Sequence, residues 1–325
     1  MGNCFRKQSK LLNSEITPSE LMMMKSFPVV KLHGPENNIL TCYMRFALHY
    51  KPVTLQFVPS DAYESPVLHL QDDIVTGNVE TMLHFLDMKF PQPRLSRGVS
   101  GWFDQTTPLV VWVVLLQHRS MLWHLERMVR WGGDLVERGG KARGDPVMGS
   151  PRMEVKKFGR SYSQMLEVML EHAQMEEKVV FPILERADRG LCKAANDEHA
   201  RDLPMMNGIK EDIKSVGVLD SGTAVFQEAL SSLVNRLKKL QVHCKEHFHK
   251  EERELLSLME ATELCKDEQD RVLGQCLEVM PGTHTNQFRF FMEGLLPHDA
   301  IHYLDMITQS SDKNRAISML RMLVE

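Results

Sequence analysis

Along the first hundred residues the apolar positions form short runs of two different periods. "FPVVKLHG" predicts a strand over 28–33, "NNILTCYMRFALHY" a helix over 37–50, and "VTLQFVP" a second strand over 53–59. After "SPVLHLQDDIVTG" another helical pattern, "NVETMLHFLDMKF", covers 78–90. Strand and helix alternate, so residues 27–100 read as a small α/β domain closing in the linker "PQPRLSRG". Residues 1–26 carry few packing residues and read as a disordered basic tail. From about residue 101 the alternation stops, and apolar residues recur at three- and four-residue intervals. Four helices are predicted at roughly 107–137, 156–187, 194–215 and 221–261. "RGGKARGDPVMGSPR" cannot continue either of the first two. Residues 263–325 break into shorter helical pieces and read as a C-terminal helical extension. The chain is therefore mainly α, a four-helix bundle over 101–262 behind a small α/β unit.

The phase of each helix decides which polar residues face inward. In the fourth, Phe226, Leu230, Leu233, Leu237 and Leu240 continue through Cys244 to His247, Glu251, Leu255 and Leu258. His243 flanks this stripe, His249 points away from it, and Cys244 reads as packing. In the second helix Met165, Val168 and Met169 lead to His172, Glu176, Val179, Val180 and Ile183. In the first, Val111, Val114 and Leu115 lead to His118, whereas His124 shares a face with Arg127 and Arg130 and is not expected to be a ligand. His199 opens the third helix on a face with Met206 and Ile213, and Pro204 should kink that helix.

Burying an unpaired carboxylate costs several kcal/mol, so Glu176 and Glu251 require positive charge beside them. Four imidazoles and two carboxylates aimed at one axis of a bundle are the donor set of a dinuclear metal site. Nitrogen and oxygen donors without thiolate suit iron first, with manganese or zinc as alternatives. Buried His–Glu ion pairs without metal are the other reading.

"EHAQMEEKVVFPIL" and "HFHKEERELLSLM" resemble the two HxxxE(E) repeats of hemerythrin-like, HHE cation-binding domains. "LLQHRSMLWHLERM" and "NDEHARDL" match their partner histidines, and the likeness covers roughly 105–262. It implies a four-helix bundle with a non-haem di-iron centre that binds O2 or senses iron, oxygen or redox state. Its ligands would be His118, His172, Glu176, His199, His247 and Glu251, with Glu177 and His243 as secondary candidates. Oxygen carriers of that family have a further histidine where Leu203 stands here, which favours sensing over reversible oxygen carriage. The front unit resembles the thioredoxin-like N-terminal domain of glutathione transferases, with Ser65–Pro66 as its cis-proline turn. Asn38 stands where that family has its activating serine or cysteine, and Gly77 and Asn78 replace its γ-glutamyl-binding pair. With Cys42 inside a helix, the unit reads as a degenerate scaffold or docking surface.

Charge and cysteines narrow the setting. The 325-residue chain has a formal net charge of −4, so no basic surface points to nucleic acid. Six cysteines without a CxxC pair argue for a reducing, intracellular location. "PLVVWVVLL" is about half the roughly 20 residues of a membrane-spanning helix, and no apolar signal sequence follows Met1. "MGNCFRKQSK" instead resembles a dual acylation signal: myristate on Gly2, palmitate on Cys4, and Arg6, Lys7 and Lys10 for an anionic leaflet. The expectation is an iron-binding sensor at the cytoplasmic face of the plasma membrane, with a protein partner engaged through the C-terminal helices. Catalysis, by glutathione chemistry in front or oxygen, peroxide or NO chemistry at the metal, is the alternative, as is a metal-free interaction protein.

Overall fold

The computed structural model describes residues 27–96, 107–139, 141, 149–186, 188–310 and 312–325; Gly2 and Cys4 lie outside them. The chain forms two compact units, Met1–Val99 with Asp312–Glu325, and Ser100–Ser311. The stretch from 263, expected as one extension, is thus divided between the two.

The first unit contains β1 (Val29–Gly34), α1 (Ile39–His49), β2 (Thr54–Pro59), β3 (Val67–Leu70), β4 (Asp73–Val75) and α2 (Val79–Lys89). The sheet order is β2-β1-β3-β4, with β1 parallel to β2 and the other pairs antiparallel. Val30 and Leu32 of β1 are buried while Val29 and Lys31 are exposed, the two-residue alternation of a sheet with one covered face. Helix α1 is buried on two sides, because the C-terminal helix Lys313–Val324 packs on it through Ala316, Met319, Leu320 and Leu323. Arg45 donates to the Val324 carbonyl (3.4 Å) and Arg321 to Asn37 (3.0 Å). Lys51 ties down the chain after α2, donating to Asp87 (2.7 Å) and to the carbonyls of Phe90 (2.6 Å) and Pro93 (2.7 Å).

The transferase-like turn is not reproduced. Ser65–Pro66 is trans, and the cis peptide among the described residues is Gln92–Pro93. The two isomers of an X–Pro bond differ by only about 0.5–1 kcal/mol, so local sequence does not decide which proline is cis. Asn38 and Asn78 act as helix caps, accepting from the amides of Thr41 (3.1 Å) and Thr81 (2.9 Å). Cys42 is fully buried, and burial pushes its thiol pKa up.

In the second unit α3 (Leu109–Glu137), α4 (Pro151–Met175), α6 (Lys193–Val218) and α7 (Ala224–Glu254) form a closed ring of neighbours. Ser150, followed by Pro151, caps α4, and Thr223 caps α7. Helix α4 does not run on to 187: a widened π-helical turn, Glu176–Val180, links it to the short α5 (Phe181–Leu184). Pro182 accounts for this, since a proline ring in a regular helix collides with the carbonyl four residues earlier. Helix α6 continues through Pro204 without a break.

Helices α8 (Lys266–Val279), α9 (Phe288–Glu293) and α10 (Pro297–Ser310) pack against α3 on the side away from the bundle axis. That outer layer explains why "LVVWVVLL" is apolar nearly all round. It also houses His124, away from the donor groups. That ring is 1% exposed, lies 2.7 Å from the Phe290 carbonyl and stacks on the Phe290 ring at 3.7 Å. Burial, with Arg127 nearby, pushes its pKa down to about 3, so it packs as a neutral ring.

The layer approaches α3 tightly at Gly294, where an added Cβ would fall 2.5 Å from Ser120 Oγ and 2.7 Å from the Ser120 carbonyl oxygen. Gly294→Ala should therefore destabilise the helical unit by about 1–3 kcal/mol through overpacking, seen as an earlier urea midpoint for bundle unfolding. An unchanged midpoint would show that the layer yields freely.

Candidate metal centre

Each bundle helix delivers its donors at a spacing that keeps them on one face. His172 and Glu176 leave the last turn of α4, four residues apart, and His247 and Glu251 leave the last turns of α7. His118 comes from the middle of α3 and His199 from the first turns of α6. Glu176 also begins the widened turn, so the helix irregularity sits directly behind one of the two carboxylates.

The six side chains converge in two sets. His118, His172, Glu176 and Glu251 offer ligand atoms all within 4.8 Å of one another, and so do His199, His247 and Glu251. Glu176 joins the sets as well: its Oε2 is 3.2 Å from His172 Nε2 and 3.4 Å from His199 Nε2. Glu251 Oε2 lies 3.6 Å from His118 Nε2 and 3.7 Å from His247 Nε2. Both carboxylates therefore stand between imidazoles of different helices, where each would be available to a metal held by either set.

A second ring of acceptors orients the imidazoles. Nδ1 of His118 lies 2.9 Å from Glu252, that of His172 2.7 Å from Gln117 Oε1, that of His199 3.0 Å from Glu177, and that of His247 2.5 Å from Glu198. Each of these acceptors takes the Nδ1 hydrogen, so each neutral ring turns a bare Nε2 lone pair toward the axis. His118 Nε2 and His172 Nε2 face each other across 3.2 Å. Two lone pairs at that distance repel unless a proton or a cation lies between them.

The proton balance of the metal-free ring shows the same strain. Burial opposes charge on His118 and His199, but Glu176 and the neighbouring carboxylates outweigh it and raise both to about 9. His172 is pushed down to about 3, first by burial and then by the surrounding imidazoles against the pull of Glu176. Burial, reinforced by Glu176, lifts Glu251 to about 8. For Glu176 burial acts upward too, yet His172, His118 and His199 overcome it and hold the carboxyl below the usual range.

Both oxygens of Glu176, both of Glu251, and Nε2 of His199 and His247 are buried without a hydrogen-bond partner. Buried polar atoms are almost always paired, and metal coordination satisfies carboxylate oxygens and imidazole nitrogens together. The donor set thus fits metal binding, with Glu198, Glu177 and Glu252 adding negative charge outside the ring.

Two secondary candidates fall outside this set. Glu177, 42% exposed at its side chain, holds the outer nitrogen of His199 rather than facing the axis. His243 pairs with Asp202 at 2.6 Å, one turn away. The partners Gln117, Glu198 and Glu252 escape a reading by periodicity, because they sit beside the apolar stripes rather than on them; their one signal is a place in the chain next to an inward donor, His118, His199 and Glu251 in turn. A cavity of about 460 Å³ lined by Met121, Met169, Met206, Phe248 and the partly exposed Leu203 reaches His172, His199 and His247. Small ligands therefore have an apolar way in.

Comparison with curated proteins and with solved structures gives no match. Residues 109–259, which contain every donor of the two sets and all four bundle helices, match the family model of the hemerythrin HHE cation binding domain.

Proposed function

We propose that the bundle holds two iron ions between His118, His172, Glu176, His199, His247 and Glu251, and that the protein reports iron, oxygen or redox state from a membrane surface. The observation that carries this reading is the set of six buried, partnerless donor atoms at one place on the bundle axis. When bound, an iron pair supplies reversible electron transfer and a coordination position open to a small ligand. The chain's own contribution is to fix the four Nε2 atoms inward, to exclude water with Phe248 stacked on His118 at 4.1 Å, and to leave the methionine-lined cavity as entry. Manganese or zinc would satisfy the same donors, and the metal assay below distinguishes them.

Membrane attachment rests on Gly2, Cys4 and the basic residues after them. No helix among the described residues is long and apolar enough to cross a membrane, so acylation is the proposed means of holding the protein at a cytoplasmic leaflet. In the front unit, helix-capping Asn38 and Asn78 and buried Cys42 favour a transferase-derived scaffold that docks a partner over one that conjugates glutathione.

Metal binding and protonation compete for the same atoms. His118 and His199 have folded-state pKa values near 9 against about 6.5 unfolded, so their stabilising effect is full below 6.5 and is lost as pH rises to 9; Glu251, raised to about 8, acts in the same direction. Metal-free protein should thus melt at lower temperature as pH goes from 6.5 to 9, whereas apparent metal affinity should rise over that interval. Calorimetry of both forms checks the opposite slopes. Full-length protein should carry about two irons per chain by elemental analysis, following the two donor sets, and the His172→Ala, His247→Ala double variant should carry only traces. A strong chelator should lower the melting temperature of the first and leave that of the second unchanged. Gly2→Ala should move the protein from the membrane fraction of a cell lysate to the supernatant; unchanged partition would remove the acyl tether.

A further inference from the structure

Beyond the ring of acceptors a second buried polar pair lies beside the metal centre. Gln117, which takes the Nδ1 hydrogen of His172, also flanks the hydroxyl of Tyr303 on α10. Tyr303 is buried, and its hydroxyl lies 2.8 Å from Nε2 of His284, in the loop between α8 and α9. His284 is buried too, with Nδ1 2.8 Å from the Met280 carbonyl. A carbonyl only accepts, so Nδ1 carries the hydrogen and Nε2 of the neutral ring is the acceptor. Tyr303 therefore donates its hydroxyl hydrogen to a base. None of the proposed metal-holding residues needs this pair, yet a single amide side chain, that of Gln117, lies between it and the centre.

The other well-buried phenol with a described partner makes the contrast. Tyr162 donates to the Met206 carbonyl at 2.8 Å, and a backbone carbonyl does not store a proton as imidazole does. A buried phenol loses an electron readily only when its proton can leave at the same time, because a charged phenol is costly away from water. Burial already pushes the Tyr303 pKa up, which blocks simple ionisation and leaves coupled loss of proton and electron as the accessible oxidation. His284 is placed to take that proton without moving, and the Tyr303 ring also packs on Phe291 at 4.7 Å, shielded from solvent.

We propose that Tyr303 and His284 form a redox-active tyrosine site that gives one electron to the metal centre when hydrogen peroxide is the oxidant; this rests on the metal reading above. The step balances. Hydrogen peroxide takes up two electrons and two solvent protons and leaves as two waters. One electron comes from the metal pair, which rises by one oxidation unit, and the other comes from Tyr303. The Tyr303 O–H bond breaks, its proton passes to His284 Nε2, and a neutral phenoxyl radical faces an imidazolium. Peroxide at the metal would then be consumed with its second oxidising equivalent moved to α10, outside the bundle.

The test uses iron-loaded, full-length protein, half-reduced, mixed with hydrogen peroxide and frozen for electron paramagnetic resonance. An organic radical signal is expected, with hyperfine structure that narrows when the protein is produced with ring-deuterated tyrosine. Tyr303→Phe, which keeps the ring and its packing, should lose the signal at unchanged iron content, and Tyr162→Phe should keep it. His284→Gln should diminish the signal without loss of iron. An undiminished signal in Tyr303→Phe, or no signal in a wild-type sample with its full complement of iron, overturns the tyrosine site alone. A sample that holds no iron overturns the metal reading and the tyrosine site with it, so iron analysis of the same tube separates the two failures.

Discussion

Two carboxylates buried among imidazole lone pairs cannot remain without positive charge, and this electrostatic demand organises the helical unit. Glu176 and Glu251 are removed from water and have no hydrogen-bond donor to replace it. Protons on His118 and His199 answer the demand incompletely: His172 and His247 are still pushed toward the neutral form, and burial together with Glu176 still lifts Glu251 toward its protonated form. Cations at the same place would satisfy all six groups together. The surrounding architecture serves that arrangement: four helices fix the donors, outer carboxylates and one amide fix the ring orientations, and apolar side chains keep the dielectric low, where charge pairing is strongest.

Helix α3 mediates between this centre and the rest of the unit. It is packed on the bundle side by α4 and α7 and on its back by α8, α9 and α10. Its histidines divide accordingly, His118 toward the axis and His124 into the outer layer against Phe290. The same layer brings Tyr303 and His284 to the back of the centre, within one amide side chain of His172.

Much of this was legible in the residue pattern. The three- and four-residue spacing of leucine, valine and methionine placed the first and third long helices within three residues, began the second five residues late and ran it past its widened turn, ran the fourth seven residues past its end, and set the phase that turns His118, His172, Glu176, His199, His247 and Glu251 toward one another. That phase follows from local geometry alone, so a single sequence suffices. What could not be read depends on contacts between distant segments. His124 shares a face with Arg127 and Arg130, and nothing near it in the chain announces α9, which arrives from more than 160 residues away to cover it. The division of 263–325 between two units, the trans state of Ser65–Pro66 and the widened turn at Glu176 are likewise tertiary outcomes. In the front unit the β3–β4 hairpin lay inside a stretch whose strands were too short for periodicity to delimit.

The end of α7 concentrates several of these parts within two turns. His247 and Glu251 point inward, Glu252 anchors His118 from across the bundle, and the regular helix stops at Glu254. Unwinding of that terminus would detach groups from both donor sets at once, because Glu251 belongs to each. If each set held an ion as proposed, occupation of one would hold the terminus wound and shape the other, tying loading to the winding of a helix end.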